Sequence, residues 1–345
     1  MKENAFRTMR QDFVAGIVLA SLLTAMPVSA HHSPAMFDLS QDVYLEGTIR
    51  NLSWRNPHVY FELEITDADG ANVTRRIEAG PASNFAPLGI DRNTLEDGER
   101  VRVQVKPNRS GPERTALGWL LTRADGSAIP LHVRAIVPPE ATDAQATGLA
   151  GTWVPQGPDF ANLAVAARAW PLTEAGSAAV EATHEARLAA RSQCTPFGPP
   201  ALMALPSTII VEQTDTTVTF SLDVMDARRT VHLDQNEHPA QLTPSLHGHS
   251  IGRFEGETLV VDTIGYAAHP DGYAFDRPSS AAKHIVERLT LSEDRRQLVY
   301  EAEISDPEYI AESVSHRSVW DYRPDQLPSN LPCDTDVAGE FIEDY

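Results

Sequence analysis

Short runs in which apolar and polar residues alternate recur along most of this chain, with turn signals between them. The clearest run is VRVQV at residues 101–105. Successive side chains of a β-strand point to opposite faces, so this alternation places one apolar face on a core and one polar face in water. Short runs separated by Gly, Asp and Pro are typical of barrels and sandwiches. The sequence therefore predicts a mainly β protein.

Residues 31–135 contain five such runs and form the first predicted domain. The runs lie at 43–49, 59–65, 73–77, 101–105 and 116–122. A short helix or loop at 82–88 separates the third run from the fourth. Five strands with a helix at that position match a small five-stranded Greek-key barrel of the OB type. An open antiparallel sandwich is the alternative architecture.

A polar stretch rich in small residues at 136–149 is the predicted linker, and residues 150–345 form the second predicted domain. One helical segment is expected from Thr173, a suitable N-cap, to about Arg191. Strands are expected near 207–213, 217–224, 228–234, 249–254, 258–263, 284–291, 298–304 and 314–322. About eight sequential antiparallel strands favour an up-and-down barrel of the lipocalin-like type, which can hold one small ligand.

The start of the chain has the layout of a secretory signal peptide over residues 1–30. A basic beginning leads into an apolar run at 13–26 and then into small residues at 28–30. Cleavage after Ala30 makes His31 the first residue of a protein exported to the periplasm or the medium. No later stretch approaches the roughly 20 apolar residues of a membrane-spanning helix.

The chain carries a net charge of −20, and removal of the +1 signal segment leaves −21. An acidic surface of this kind repels phosphate backbones, which argues against nucleic acid as a partner. It also keeps an exported protein soluble, and solubility is the simpler interpretation of the charge.

The chain contains two cysteines, Cys194 and Cys333. An even count in an exported protein favours one disulfide between them. In the chain-entropy account, closing so long a loop stabilises the fold by about 4–5 kcal/mol. Two buried, unreacted thiols are the alternative.

The predicted cleavage site creates a candidate metal site. A terminal histidine offers two nitrogen ligands, its amine and one ring nitrogen, and copper(II) favours nitrogen ligands in square arrangements. His58 is the candidate third ligand because it lies at the turn between the first two strands. His32 is the substitute ligand, and it becomes the terminal histidine if cleavage falls one residue later. Zinc is the rival ion. The simpler interpretation is a frayed terminus, with His58 bonded to a turn carbonyl.

The alternation of side chains along the predicted strands also indicates which polar residues of the second domain point inward. Glu287 shares a face with Ile285, Leu289 and Leu291, so we expect it to point inward, where a buried carboxylate needs a partner. Arg229 has the required charge and lies on an apolar face of its own strand. The pair would be a structural ion pair or a ligand clamp.

Three further residues are candidates for the second barrel. His249, in Gly248-His249-Ser250, is the candidate acid, base or ligand donor, and His284 and Arg288 are candidate ligand-binding residues. The tripeptide lacks the second glycine of a nucleophile elbow and enters a strand instead of a helix, which excludes a hydrolase triad of that kind.

The first domain resembles a bacterial family of exported proteins known only as a domain of unknown function. The resemblance rests on His31-His32-Ser33, Phe37, Gly47-Thr48, Trp54 and Asn56-Pro57-His58. The second domain resembles another uncharacterised proteobacterial module, through Cys194-Thr195-Pro196, Gly248-His249-Ser250-Ile251-Gly252, residues 255–263, Glu287-Arg288, Asp306-Pro307 and Cys333. Such modules usually follow the last Cys with an acidic residue and Asn, whereas this chain has Asp334-Thr335-Asp336. Neither resemblance implies an established activity.

Two classes of function follow from these observations. The first is an exported protein that binds a small apolar or aromatic molecule, with an N-terminal copper site. The alternative is a cofactor-free lyase or isomerase that uses His249, Arg229 and Glu287 on such a molecule inside the second barrel. Copper-dependent redox chemistry at the N-terminus is a third hypothesis. We favour the binding protein over the enzyme because the sequence shows no complete set of acid, base and nucleophile. No sequence feature identifies the ligand or the oligomeric state.

Overall fold

The computed structural model describes residues 36–67, 69–135, 142–329 and 331–343. The predicted signal peptide, His31 and His32 lie outside these residues. The described part is mainly β, as predicted, and contains two barrels joined by a helical layer. No helix in the described ranges has the length and apolar character needed to span a membrane.

The first barrel has five closing strands and one short addition. These are β1 (Val43–Ser53), β2 (Tyr60–Thr66), β3 (Asn72–Glu78), β4 (Arg100–Lys106), β5 (Ala116–Arg123) and β6 (Ala128–Pro130). Strand β1 pairs with β2 and β4, and a parallel contact between β3 and β5 closes the ring. Helix α1 (Ala82–Phe85) lies between β3 and β4. The predicted five-stranded barrel is therefore confirmed.

Alternation determines which side chains fill this barrel. In β4, Val101, Val103 and Val105 are at most 3% exposed, and the residues between them face outward. Burying a valine side chain is worth about 1.5–3 kcal/mol. The same rule buries alternate residues of β2, so the apolar faces of the strands meet in one core.

The second barrel has nine strands. They are β7 (Gly151–Pro155), β8 (Ile209–Gln213), β9 (Thr217–Leu222), β10 (Ala227–His232), β11 (His249–Glu255), β12 (Thr258–Ile264), β15 (His284–Leu291), β16 (Gln297–Ser305) and β17 (Val314–Tyr322). Eight of the nine neighbouring pairs are antiparallel, and β10 and β11 run parallel. All eight predicted strands are present, and only the expectation that their pairs are antiparallel fails, at β10 and β11. Strand β7 joins the ring, and an odd number of strands cannot alternate in direction around a closed ring.

The predicted helical segment is helical but divided into two helices, and further helices accompany it. The α-helices that follow β7 are α2 (Asp159–Ala169), α3 (Glu174–Ala182), α4 (His184–Ser192), α5 (Ala201–Ala204) and α6 (Thr335–Glu343). Thr173 does cap α3, since its side chain accepts a hydrogen bond from the Gly176 N–H at 2.9 Å. The segment breaks at Thr183, whose hydroxyl donates back to the Ala179 carbonyl at 2.7 Å, a bond that competes with helix continuation.

A two-stranded hairpin, β13 (His269–Ala274) and β14 (Arg277–Ser279), stands outside the barrel and packs on the helical layer. No strand was predicted there. The described half of the predicted linker, 142–149, also packs on the second barrel, because Ala146 and Leu149 are buried in its core.

The C-terminal segment crosses from the second barrel back to the first. Gln326 Nε2 donates to the Pro87 carbonyl at 2.9 Å, and the Asp334 N–H donates to the Asn56 carbonyl at 2.8 Å. The predicted disulfide between Cys194 and Cys333 is confirmed, with the two Cα atoms 6.1 Å apart. It ties the segment after α4 to the crossing segment, so the two barrels are held side by side.

Candidate ligand-binding cavity

A cavity of about 330 Å³ lies between the two barrels. The first barrel contributes His58 and Glu78 to its wall, helix α2 contributes Phe160 and Ala161, and the crossing segment contributes Cys333. The sequence analysis placed the ligand inside the second barrel, where the large side chains of Trp153, Tyr300 and Trp320 are completely buried in the core.

Three phenylalanines form an aromatic wall in this cavity. The rings of Phe160, Phe197 and Phe275 contact one another, with centroid separations of 5.3–5.7 Å and tilted or edge-to-face geometry. Aromatic pairs prefer these arrangements over a face-to-face sandwich. The three rings come from α2, the loop before α5 and the tip of the β13–β14 hairpin, so the wall exists only when the helices and the hairpin are docked.

A buried ion pair fixes the hairpin against helix α4. Arg191 donates from Nε and Nη2 to the Asp271 carboxylate at 2.8 and 2.9 Å, and also to Asp276 at 3.2 Å. The guanidinium lies 5.0 Å from the centre of the Phe275 ring. A bidentate pair of this kind gives a fixed geometry as well as energy. Arg191 therefore holds both Asp271 and Phe275 on the cavity wall.

His269, the first residue of β13, also lines the cavity and is only 5% exposed. Its Nδ1 accepts a hydrogen bond from the Asp271 N–H at 2.9 Å. Burial lowers the pKa of His269 to about 4, so the ring is neutral at pH 7. Its Nε2 is buried and has no hydrogen-bond partner in the described structure, an uncommon state for a buried donor.

The wall formed by the first barrel carries two histidines. His58 Nδ1 lies 3.0 Å from Glu78 Oε1 and 3.3 Å from the Ala79 carbonyl, so its Nδ1–H donates to these acceptors. His132 stacks on Trp119 at 4.7 Å, and burial lowers its pKa to about 4. His58 lies between β1 and β2, at the predicted turn.

The predicted metal site cannot be assembled from the described residues alone. No group of three or more His, Cys, Asp or Glu side chains in that part of the chain is arranged to hold a metal ion. A site at His58 therefore needs His31 or His32, which lie outside the described residues.

The predicted pair of Arg229 and Glu287 does form, inside the second barrel. Arg229 Nη1 donates to Glu287 Oε1 at 2.7 Å, and Nη2 bonds Oε2 as well. Thr263 and Tyr300 add further hydrogen bonds, at 2.9 Å each. Both charged side chains are at most 2% exposed. A pair so enclosed by protein partners has the geometry of a structural ion pair.

His249 does not join this pair. Its neighbour Ser250 faces inward and accepts from Arg229, so alternation turns His249 to the outer face of the barrel. There its Nδ1 lies 2.9 Å from His238 Nδ1. The predicted set of His249, Arg229 and Glu287 is therefore not brought together.

His284 and Arg288 lie on the same outer face. His284 Nε2 is 3.1 Å from Asp262, and Asp262 also bonds His238 at 2.9 Å. Arg288 donates to Glu255 at 2.9 Å in an exposed pair. These two candidate ligand-binding residues thus face away from both the barrel interior and the cavity between the barrels.

The sequence patterns did not identify four residues of the cavity wall, which are Arg191, His269, Asp271 and Phe275. The hairpin that carries three of them has a register irregularity between His269 and Ala274, so its sequence has no regular alternation. The one available signal was the cluster of His, Asp and aromatic residues at 269–276 between two predicted strands.

Comparison with known proteins gives a family match for part of the chain. Residues 18–117 match the model of a family of unknown function, DUF6152. The expected resemblance of the first domain to an uncharacterised family is confirmed over that range. No curated protein matches the chain.

Two solved structures are similar to part of the chain, and both are of the fluorescent protein UnaG. The wild-type protein is 14% identical with a TM-score of 0.24, and the alignment covers 50% of this chain and 95% of that one. A single-residue variant gives 14% identity, a TM-score of 0.23 and coverage of 50% and 94%.

Proposed function

We propose that this protein is an exported, periplasmic binding protein that holds a small apolar or aromatic molecule between its two barrels. The observation that carries the proposal is the cavity of about 330 Å³ with its wall of three phenylalanines. Ligand sites are typically 300–1,000 Å³, mostly apolar, with a few placed polar groups, and often lie between domains. The cavity fits each part of that description.

Several finer assignments belong to the same proposal. The ring order β1-β2-β3-β5-β4, with α1 between β3 and β4, supports an OB-type first barrel. The run of sequential antiparallel strands supports a lipocalin-like second barrel. Export is supported by the signal-peptide layout of residues 1–30 and by the disulfide, since disulfides persist in oxidising compartments.

The N-terminal copper site remains part of the proposal, with His31, or His32 in its place, and His58 as ligands and zinc as the rival ion. Met36 and His58 line the same cavity, and an extended chain reaches about 3.3–3.6 Å per residue, so His31 is within reach. Glu78 accepts from His58 Nδ1, and Nε2 is the nitrogen that we propose for the metal. Carboxylates commonly orient metal-binding histidines in this way.

We favour binding over the alternative of a cofactor-free lyase or isomerase. That alternative requires His249 beside Arg229 and Glu287 around a common substrate. A general base must lie within hydrogen-bond reach of the proton that it removes. His249 and the ion pair are on opposite faces of the barrel wall, which supports a structural role for the pair.

Titration calorimetry with fluorenone, a flat aromatic ketone, tests the binding proposal. We expect Ala161→Trp to weaken binding at least tenfold, because the indole occupies part of the cavity that Ala161 lines. Ala166→Trp is the matched control, since Ala166 lies exposed on the same helix and should bind as the wild type does. Equal affinity in the two variants would contradict a site between the barrels.

Metal analysis of protein purified from the periplasm, with its N-terminus sequenced, tests the copper site. We expect one copper per chain that begins at His31, and loss of that copper in His58→Ala. Protein that begins at His31 without stoichiometric copper or zinc would overturn this part of the proposal and leave the cavity proposal intact.

A further inference from the structure

We propose that the ligand carries an uncharged hydrogen-bond acceptor, such as a ketone oxygen, which accepts from His269 Nε2–H while its rings lie on the phenylalanine wall. This inference rests on the proposed function and names the class of ligand. It is carried by His269, a cavity-lining side chain that is 5% exposed and whose Nε2 has no partner among the residues that the structure describes.

The hydrogen bonding of His269 identifies which ring nitrogen is the donor. The Asp271 N–H donates to Nδ1, so Nδ1 must present its lone pair. The single proton of the neutral ring is then on Nε2. A buried N–H without an acceptor loses its bond to water and gains nothing in return. An acceptor on a bound molecule restores that bond.

The surroundings of His269 favour an uncharged acceptor. Arg191, the cation on this wall, is already paired with the carboxylates of Asp271 and Asp276. Lys283 is directed elsewhere, since its Nζ donates to the Pro199 carbonyl at 3.2 Å and lies 4.1 Å from the centre of the Tyr266 ring. Neither of these two described cations beside His269 is therefore free to compensate an anion placed at Nε2 for its lost hydration.

The donor and the aromatic wall are close enough to act on one molecule. The ring centres of His269 and Phe197 are 6.4 Å apart. This separation is similar to the width of one fused-ring system, so a molecule stacked against Phe197 can present a substituent oxygen to Nε2. The class of ligand is thus a flat aromatic molecule with a carbonyl or ether oxygen on its edge.

A matched pair of probes, fluorenone and fluorene, tests the inference because the two differ by the ketone oxygen. By calorimetry we expect the wild type to bind fluorenone about tenfold more tightly than fluorene, the effect of one hydrogen bond to a buried donor. His269→Phe should remove this preference and keep the affinity for fluorene. His269→Gln supplies an N–H donor in a similar position and should restore part of the preference.

His316→Phe is the control variant. His316 is 8% exposed, and its Nε2 also lacks a partner within the described part of the chain, yet it does not line the cavity. The control variant should keep the tenfold preference, and circular dichroism identifies any variant that does not fold. Equal binding of both probes by the wild type would overturn this inference and leave the cavity proposal standing. Binding of neither probe would overturn both. A preference that survives in His269→Phe would assign the donor to another residue and overturn the inference.

Discussion

At the scale of single residues, period-two alternation predicted which charges are buried. It placed Glu287 inside the second barrel and identified Arg229 as its partner, and the two are found together with both side chains enclosed. The same rule turns His249 outward, since Ser250 beside it faces Arg229. Alternation fixes the face of a residue, but its partners from loops, such as His238 for Asp262 of β12, depend on the tertiary fold.

Glu287→Gln should destabilise the protein by about 3–5 kcal/mol, because it leaves the guanidinium of Arg229 buried without a counter-charge. Urea denaturation at pH 7 measures this loss. The control is Glu255→Gln, which breaks an exposed pair with Arg288 and should leave the unfolding midpoint unchanged. Similar midpoints for the two variants would contradict a structural role for the buried pair.

At the scale of elements, the sequence predicted the regular strands and missed what docks on them. Strands β15 and β17 have the predicted ends, 284–291 and 314–322. The β13–β14 hairpin was missed because it is short, irregular and stabilised by Arg191 from α4 instead of by its own periodicity. The cavity between the barrels was also not predicted, since contacts between residues distant in sequence create it.

The disulfide anchors the crossing segment beside the cavity. Replacing both Cys194 and Cys333 with Ala should lower the free energy of unfolding by up to about 4–5 kcal/mol in the chain-entropy account. Hydrogen exchange should also become faster in residues 331–343 than in β4 of the first barrel. Unchanged exchange in this segment, with the disulfide absent, would show that other contacts anchor it.

At the scale of the whole molecule, buried neutral histidines make stability depend on pH. Burial lowers the pKa values of His269 and His316 to about 4, from about 6.5 in the unfolded chain. Between pH 6.5 and 4 the unfolded state therefore binds more protons, so stability rises with pH and falls on acidification.

Lowering the pH from 7 to 4.5 should cost about 2 kcal/mol for each of these histidines. Urea denaturation at the two pH values measures the difference in the free energy of unfolding. His316→Phe should reduce that difference by the contribution of one histidine, about 2 kcal/mol. An identical pH dependence in His316→Phe and the wild type would contradict the assignment of His316 as a buried neutral group.

Photolabelling with benzophenone locates the ligand site that we propose between the barrels. Benzophenone is an aromatic ketone that inserts into nearby C–H bonds under ultraviolet light, and mass spectrometry locates the adducts. We predict saturable labelling of Met36, Phe160 and Met225, which line the cavity, with competition by fluorenone. Saturable labelling of the second barrel's interior, at Trp320 or Tyr300, would place the ligand there and contradict a site between the barrels.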